Sequence, residues 1–155
     1  MNGAHLHLAL IHLPIAGLFF AAAALGWALF RKSAEARTAA LVLTLLAGLT
    51  AVPAYLTGEE AEEVVEDVQG VSESTIEEHE EAAEPALIVT LLAAGIALGG
   101  LLFFRAPKEH PSWLVPLALG FVLLSAAAMA RTGNLGGHIR HPEIEMQQPP
   151  GHGEH

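Results

Sequence analysis

Nine histidines in 155 residues, with no cysteine, are the side chains of this chain best equipped for chemistry. An imidazole holds haem iron or a transition metal through one ring nitrogen, and it titrates near neutral pH. The histidines fall in groups. His5, His7 and His12 stand near the start, and His79 lies within Glu77-Glu78-His79-Glu80-Glu81. His138 and His141 flank Ile139-Arg140, His152 and His155 end the chain, and His110 stands alone. The lack of cysteine excludes disulfides, thiolate-held iron–sulfur clusters, covalent c-type haem and a Cys nucleophile. Any metal must therefore rest on His, Met, carboxylate or backbone. No phosphate loop, Ser–His–Asp set or dinucleotide fingerprint is present, so no group-transfer or hydrolytic constellation is expected. A net charge of −10 argues against a nucleic-acid partner.

The elements that must position these histidines are membrane helices. Hydrophobic residues make up 52% of the chain and charged residues only 15%, well below the quarter or so of a soluble domain. The charges sit in blocks between four apolar runs, at about 6–30, 38–56, 85–104 and 113–130. Each is near the ~20 residues that cross hydrocarbon as a helix. The first run lacks a basic leader and is long for a signal peptide, so it is read as a retained transmembrane helix. The expected fold is all-α, a single domain over residues 1–146 with four transmembrane helices in a bundle, followed by a loose tail at 147–155.

Five of the seven basic residues, Arg31, Lys32, Arg37, Arg105 and Lys108, fall in two short loops, which should be cytoplasmic. Both termini and the middle loop then face outward from a bacterial inner membrane. Eight of the nine histidines, all but His110, come to that outer side. Trp27 and Trp113 should anchor the inner interface, and Gly95, Gly99 and Gly100 should serve close helix packing. The middle loop, residues 58–84, holds twelve of the seventeen acidic residues. It reads as helical. Helix two should extend to about Gln69 with Val64, Val65 and Val68 on one face, and Gly70 could cap it. Ser74 with Glu77 has the form of a capping box, so helix three should start near Thr75 and meet the bilayer at Pro85. Beyond Arg131, the pattern should break at Gly133, Gly136 and Gly137.

With a rise of ~1.5 Å per residue, His12 lies about 28 Å above Arg31, while His5 and His79 lie about 39 Å above Arg31 and Arg105. A straight fourth helix would bring His138 to the level of His5 and His79. His5 and His12 share a helix face, and His7 points elsewhere. Three chemistries fit such a layer. Haem b would use two imidazoles, an apolar slot, and Arg131 and Arg140 for the propionates. A copper, zinc or iron ion would use His12, His79, His138, His141 and carboxylates such as Glu80. In the third, the histidines serve structure alone. The acidic loop is either a solvated surface or a docking face for a basic periplasmic redox protein.

Several motifs carry a resemblance. They are His7-Leu8-Ala9-Leu10-Ile11-His12-Leu13-Pro14-Ile15-Ala16-Gly17, Tyr55-Leu56-Thr57-Gly58-Glu59, Glu78-His79-Glu80-Glu81-Ala82-Ala83, and the run from Ala130 to Ile144 that contains Gly136-Gly137-His138-Ile139-Arg140-His141-Pro142-Glu143. Over nearly the whole chain it resembles a family of small bacterial four-helix membrane proteins whose domain has no assigned function. The resemblance points to His12, His79 and His141 ahead of His5 and His138. A turn at Gly136-Gly137 would then carry His141 down toward His12. The leading expectation is a b-type haem electron-transfer protein or respiratory subunit. The alternatives are a non-haem metal protein and a cofactor-free accessory subunit.

Overall fold

A computed structural model describes residues 3–66, 68, 70–104 and 110–140, with the backbone alone for Arg140. The described residues form five α-helices and no strand: α1 Gly3–Arg31, α2 Ala34–Leu56, α3 Gly58–Val65, α4 Glu73–Phe103 and α5 Leu114–Arg140. Four spans are long and apolar enough to cross a membrane, with mean hydropathy from 1.9 to 2.5. In two of them the helix runs past the apolar run. α4 starts twelve residues before Pro85 and passes through it, and α5 continues beyond Arg131.

The helices form a ring. α1 packs on α2 and α5, and α4 packs on α2 and α5, so α1 and α4 stand across the bundle from each other. Long apolar side chains point outward, among them Phe19 at 70% exposure and Phe103 at 71%. The interior is built of small residues: Ala21, Ala40, Ala47, Ala51, Ala93, Ala97 and Ala118 are all nearly inaccessible. Lipid is as apolar as leucine, so burial gives little drive between helices; close approach through small residues supplies dispersion contact instead. Thr44, Thr90 and Ser125 are buried as well, and each donates its hydroxyl to a carbonyl of its own preceding turn, at 2.7–2.9 Å. No core hydroxyl among these three is left unsatisfied in the apolar layer.

Buried positions repeat every seven residues. On α1 the buried stripe is Pro14, Ala21 and Ala28, flanked by Leu18 and Leu25. On α2 it is Ala40, Ala47 and Ala54, and on α4 it is Ala86, Ala93 and Gly100. On α5 one stripe joins Val115 and Val122 to half-buried Met129, and a second joins Ala118 to Ser125. A seven-residue repeat keeps the same face toward its neighbours as the helices wind gently around each other.

Several boundaries differ from the expectations. The second helix stops at Leu56, and α3 is a separate, amphipathic helix of about two turns that leans on the start of α1, where Gly3 meets Glu60. Val64 and Val68 are exposed, so the expected apolar face is only partly covered. Gln69 lies outside the described residues. Gly70 adopts φ 95° in a reversal closed by Val71 N–H to Val68 O, the left-handed position such a turn reserves for glycine. α4 begins at Glu73 behind Ser72, not at Thr75 behind Ser74; the Ser74 hydroxyl sits 2.7 Å from that of Ser72. Of the three glycines expected at close helix contacts, Gly100 meets Leu114, while Gly95 and Gly99 face open space; further close approaches between the long helices fall at Gly17 against Ala47 and Gly48 against Ala94. Most consequential, α5 runs without a break through Gly133, Gly136 and Gly137 to Arg140. A helix supported by packing on one side tolerates glycine at a modest cost per residue. His141 and the tail lie outside the described residues.

Candidate functional site

The four stripes run out at one end of the bundle, the end that carries the α3 hairpin, and there they become polar. Counting seven back from Pro14 on α1 gives His7, and seven back from Ala86 on α4 gives His79. Seven beyond Ser125 on α5 is Thr132, and seven beyond Met129 is Gly136; Ala54 closes the α2 stripe. They meet in two groups, His7 with Ala54 on one side of the bundle and His79 with Thr132 and Gly136 on the other.

The His7 ring is half-buried, and its Nδ1 lies 2.9 Å from the Ala54 carbonyl and 3.3 Å from the Thr57 hydroxyl. Ala54 is in the last turn of α2, where a helix leaves carbonyls without an N–H partner. The break at Thr57 thus exposes the acceptor that His7 uses. Across the bundle, His79 is half-buried, and its Nδ1 lies 2.9 Å from the Thr132 carbonyl on α5. Carbonyls only accept, so in both rings Nδ1 carries a hydrogen and donates. In the neutral form of each ring Nε2 is then the nitrogen with the lone pair.

Gly136 forms the seat of His79. A Cβ there would stand 3.1 Å from Cε1 and 3.3 Å from Nδ1 of the ring. The Thr132 hydroxyl in turn reaches back to α4, 3.0 Å from the Ala82 carbonyl and 3.1 Å from that of Ala128. His79 lies outside the apolar run that starts at Pro85. Burial lowers its pKa from the ordinary imidazole value, and the bond to Thr132 opposes this only in part.

The remaining candidates sit elsewhere. His12 is exposed, and its Nδ1 is 2.6 Å from the Leu8 carbonyl of its own helix. It shares its face with His5 and Phe19, seven residues to either side and both exposed, so this face looks away from the bundle. The sequence reading placed His5 and His12 together and His7 apart; the structure turns His7 inward. Glu80 is exposed and faces α3, where it pairs with the Glu62 carboxyl. Arg131 is exposed, and His138 is half-buried half a turn beyond Gly136. The Arg140 side chain and His141 lie outside the described residues. Among those described, no group of three His, Asp or Glu converges as a metal-ion site.

The seven-residue count that finds Ala86 and Pro14 finds His79 and His7 too, so the signal for His7 was present in the sequence. The Ala54 carbonyl and the role of Gly136 had no such signal.

Comparison with protein-family models, curated proteins and solved structures found no match. The functional reading accordingly rests on the geometry of the chain itself.

Proposed function

We propose that this protein binds haem b through His7 and His79 and passes electrons at the hairpin end of the bundle. The observation that carries the reading is the state of the two imidazoles. They stand on opposite helices, each with Nδ1–H given to a backbone carbonyl of a neighbouring helix, an arrangement that leaves Nε2 for a ligand. Second-shell carbonyls of this kind fix ring orientation in metal-binding histidines. The number of donors also favours haem. A porphyrin supplies four nitrogens and asks the protein for two axial ligands, whereas a zinc or ferrous ion asks for three or four. Ala54 and Ala82 keep the surroundings of the rings small, and Arg131 is the described cation available to a propionate. When bound, the haem would supply a one-electron couple; the protein would fix its axial ligands and keep its surroundings apolar.

A cuprous ion is the second reading, because it accepts two imidazoles without further ligands. In either case the charge pattern supports a bacterial inner membrane with both termini outside, and the acidic hairpin would present a face to a basic redox partner or to neighbouring membrane subunits.

The test is an optical spectrum of detergent-purified protein, produced with haem supplied, before and after dithionite. Sharp reduced α and Soret bands are expected. They should be lost in His7→Ala and His79→Ala and kept in His12→Ala. A featureless spectrum with stoichiometric copper would move the assignment to the second reading. Neither haem nor copper would leave the two imidazoles as structural ties between helices.

A further inference from the structure

At the opposite, basic end of the bundle is a second site that owes nothing to the histidine pair. A cavity of about 300 Å³ opens between the α1–α2 turn and the start of α5, lined by Ala28, Leu29, Lys32, Arg37, Ser112 and Val115. We propose that this notch binds the phosphate group of an anionic phospholipid.

Three features of the notch point to that ligand. The first is its polar side, which among the described residues offers two cations and a hydroxyl and no acid; Glu35, in the first turn of α2, is not among the lining residues. In a chain of net charge −10, such a local excess of positive charge has to be built. The second is that Arg37 is held in place. One arm of its guanidinium donates to the His110 carbonyl at 3.0 Å, and an arginine fork keeps further N–H groups for a second acceptor. Lys32 completes the pair from an unusual backbone position. It occupies the residue just past α1 with φ 52°, where helices commonly place glycine, and glycine would carry no charge. The third is the other side of the notch, which is apolar. Ala28 and Val115 form its floor, and Leu29 continues outward at 37% exposure. A free phosphate has no use for such a wall, whereas an acyl chain does. The level is also that of headgroups. Trp27 stacks with Arg31 at 5.5 Å, and Trp113 meets Phe104 edge-on at 6.3 Å, both tryptophans pointing outward as interfacial anchors do.

The experiment is native mass spectrometry of the detergent-purified full chain, titrated separately with dioleoylphosphatidylglycerol, dioleoylphosphatidylcholine and inorganic phosphate. One phosphatidylglycerol should bind in preference to phosphatidylcholine, and phosphate should compete weakly. Lys32→Asn, which suits the left-handed backbone, should weaken binding about fivefold for the one charge removed. Arg31→Gln, the same charge change beside Trp27, should leave binding unchanged. Arg37→Gln should weaken it as well, but it also frees the His110 carbonyl, so Lys32→Asn carries the test. Equal binding of the two lipids would overturn the proposal, as would phosphate binding as tightly as phosphatidylglycerol, which would mark a soluble-anion site. An equal loss in Arg31→Gln would reduce the effect to general charge and overturn it too.

Discussion

His79 and Thr132 tie α4 to α5 in both directions: the His79 ring donates to the Thr132 carbonyl at 2.9 Å, and the Thr132 hydroxyl reaches the Ala82 carbonyl at 3.0 Å. The two contacts lie one turn apart on α4. They close the bundle where its alanine layers end.

Thr132→Val removes the hydroxyl and keeps the volume. Interhelical hydrogen bonds of this sort contribute about 0.6 kcal/mol on average in membrane proteins. The variant should melt a little earlier in detergent, followed by circular dichroism. In a double-mutant cycle with His79→Ala, the two losses should fall short of additivity, because both variants act on one clasp. Full additivity would show that the two contacts are independent.

Gly136→Ala should be destabilising, by about 1–3 kcal/mol for a group forced into a packed site. The new methyl would stand 3.1 Å from the His79 ring. Gly133→Ala meets nothing within 4 Å and should be neutral or stabilising by about 0.5–1 kcal/mol, the ordinary helical gain over glycine. Thermal melts of the pair decide it; equal behaviour would mean that Gly136 is not the seat of the ring.

Acid should weaken the fold through two histidines. Burial lowers the pKa of His79, and burial with the Arg37 charge lowers that of His110, which is 7% exposed and whose Nε2 lacks a partner among the described residues. A base whose folded pKa is depressed binds its proton more tightly when unfolded. Its stability contribution is therefore full above the ordinary value of 6.5 and falls as pH drops below it. Melting temperature from pH 8 to pH 5 should decline below about that value, less so in His79→Gln and in His110→Asn. A flat profile would contradict the burial of both rings.

Glu62 should act in the opposite sense. Its carboxyl shares a hydrogen bond with Glu80 across α3 and α4; that bond, then partial burial, then the Glu80 charge raise its pKa above 4.5. The folded state therefore holds this proton more tightly. The contact is firm when Glu62 is protonated and is lost as pH rises through the folded pKa. Glu62→Gln should protect the α3–α4 hairpin from hydrogen exchange or limited proteolysis at pH 7 and make little difference near pH 4. Protection that is the same at both pH values would rule out the carboxyl pair.

The four spans could be read directly, because an apolar run of helical length in lipid has one solution for its backbone. The helix ends were less legible. Ser74 carries a capping-box pattern, yet Ser72 takes the cap position, and the glycines after Arg131 look like breakers although α5 runs through them. At α4 two serines compete for the cap within one turn; at α5 packing of Gly136 against His79 on the neighbouring helix outweighed the local preference of glycine. His12 shows the same limit from another direction. Its motif looks chemical, but its face is shared with Phe19 and turned outward.

By itself, the sequence determined four helices long and apolar enough to cross a membrane, and an uneven spread of histidine and basic residues between the segments that flank them. Composition and run length are enough for that, since each segment answers to the bilayer alone. Only the tertiary structure decided which histidines turn into the bundle. Rotation of a nearly uniformly apolar helix is set by which face carries small residues against its neighbours, and by where a partner helix ends and frees a carbonyl. The acceptor for His7 is the Ala54 carbonyl, 47 residues away, and that for His79 is the Thr132 carbonyl, 53 residues away. These are backbone atoms that every residue possesses, so no side-chain pattern could single them out.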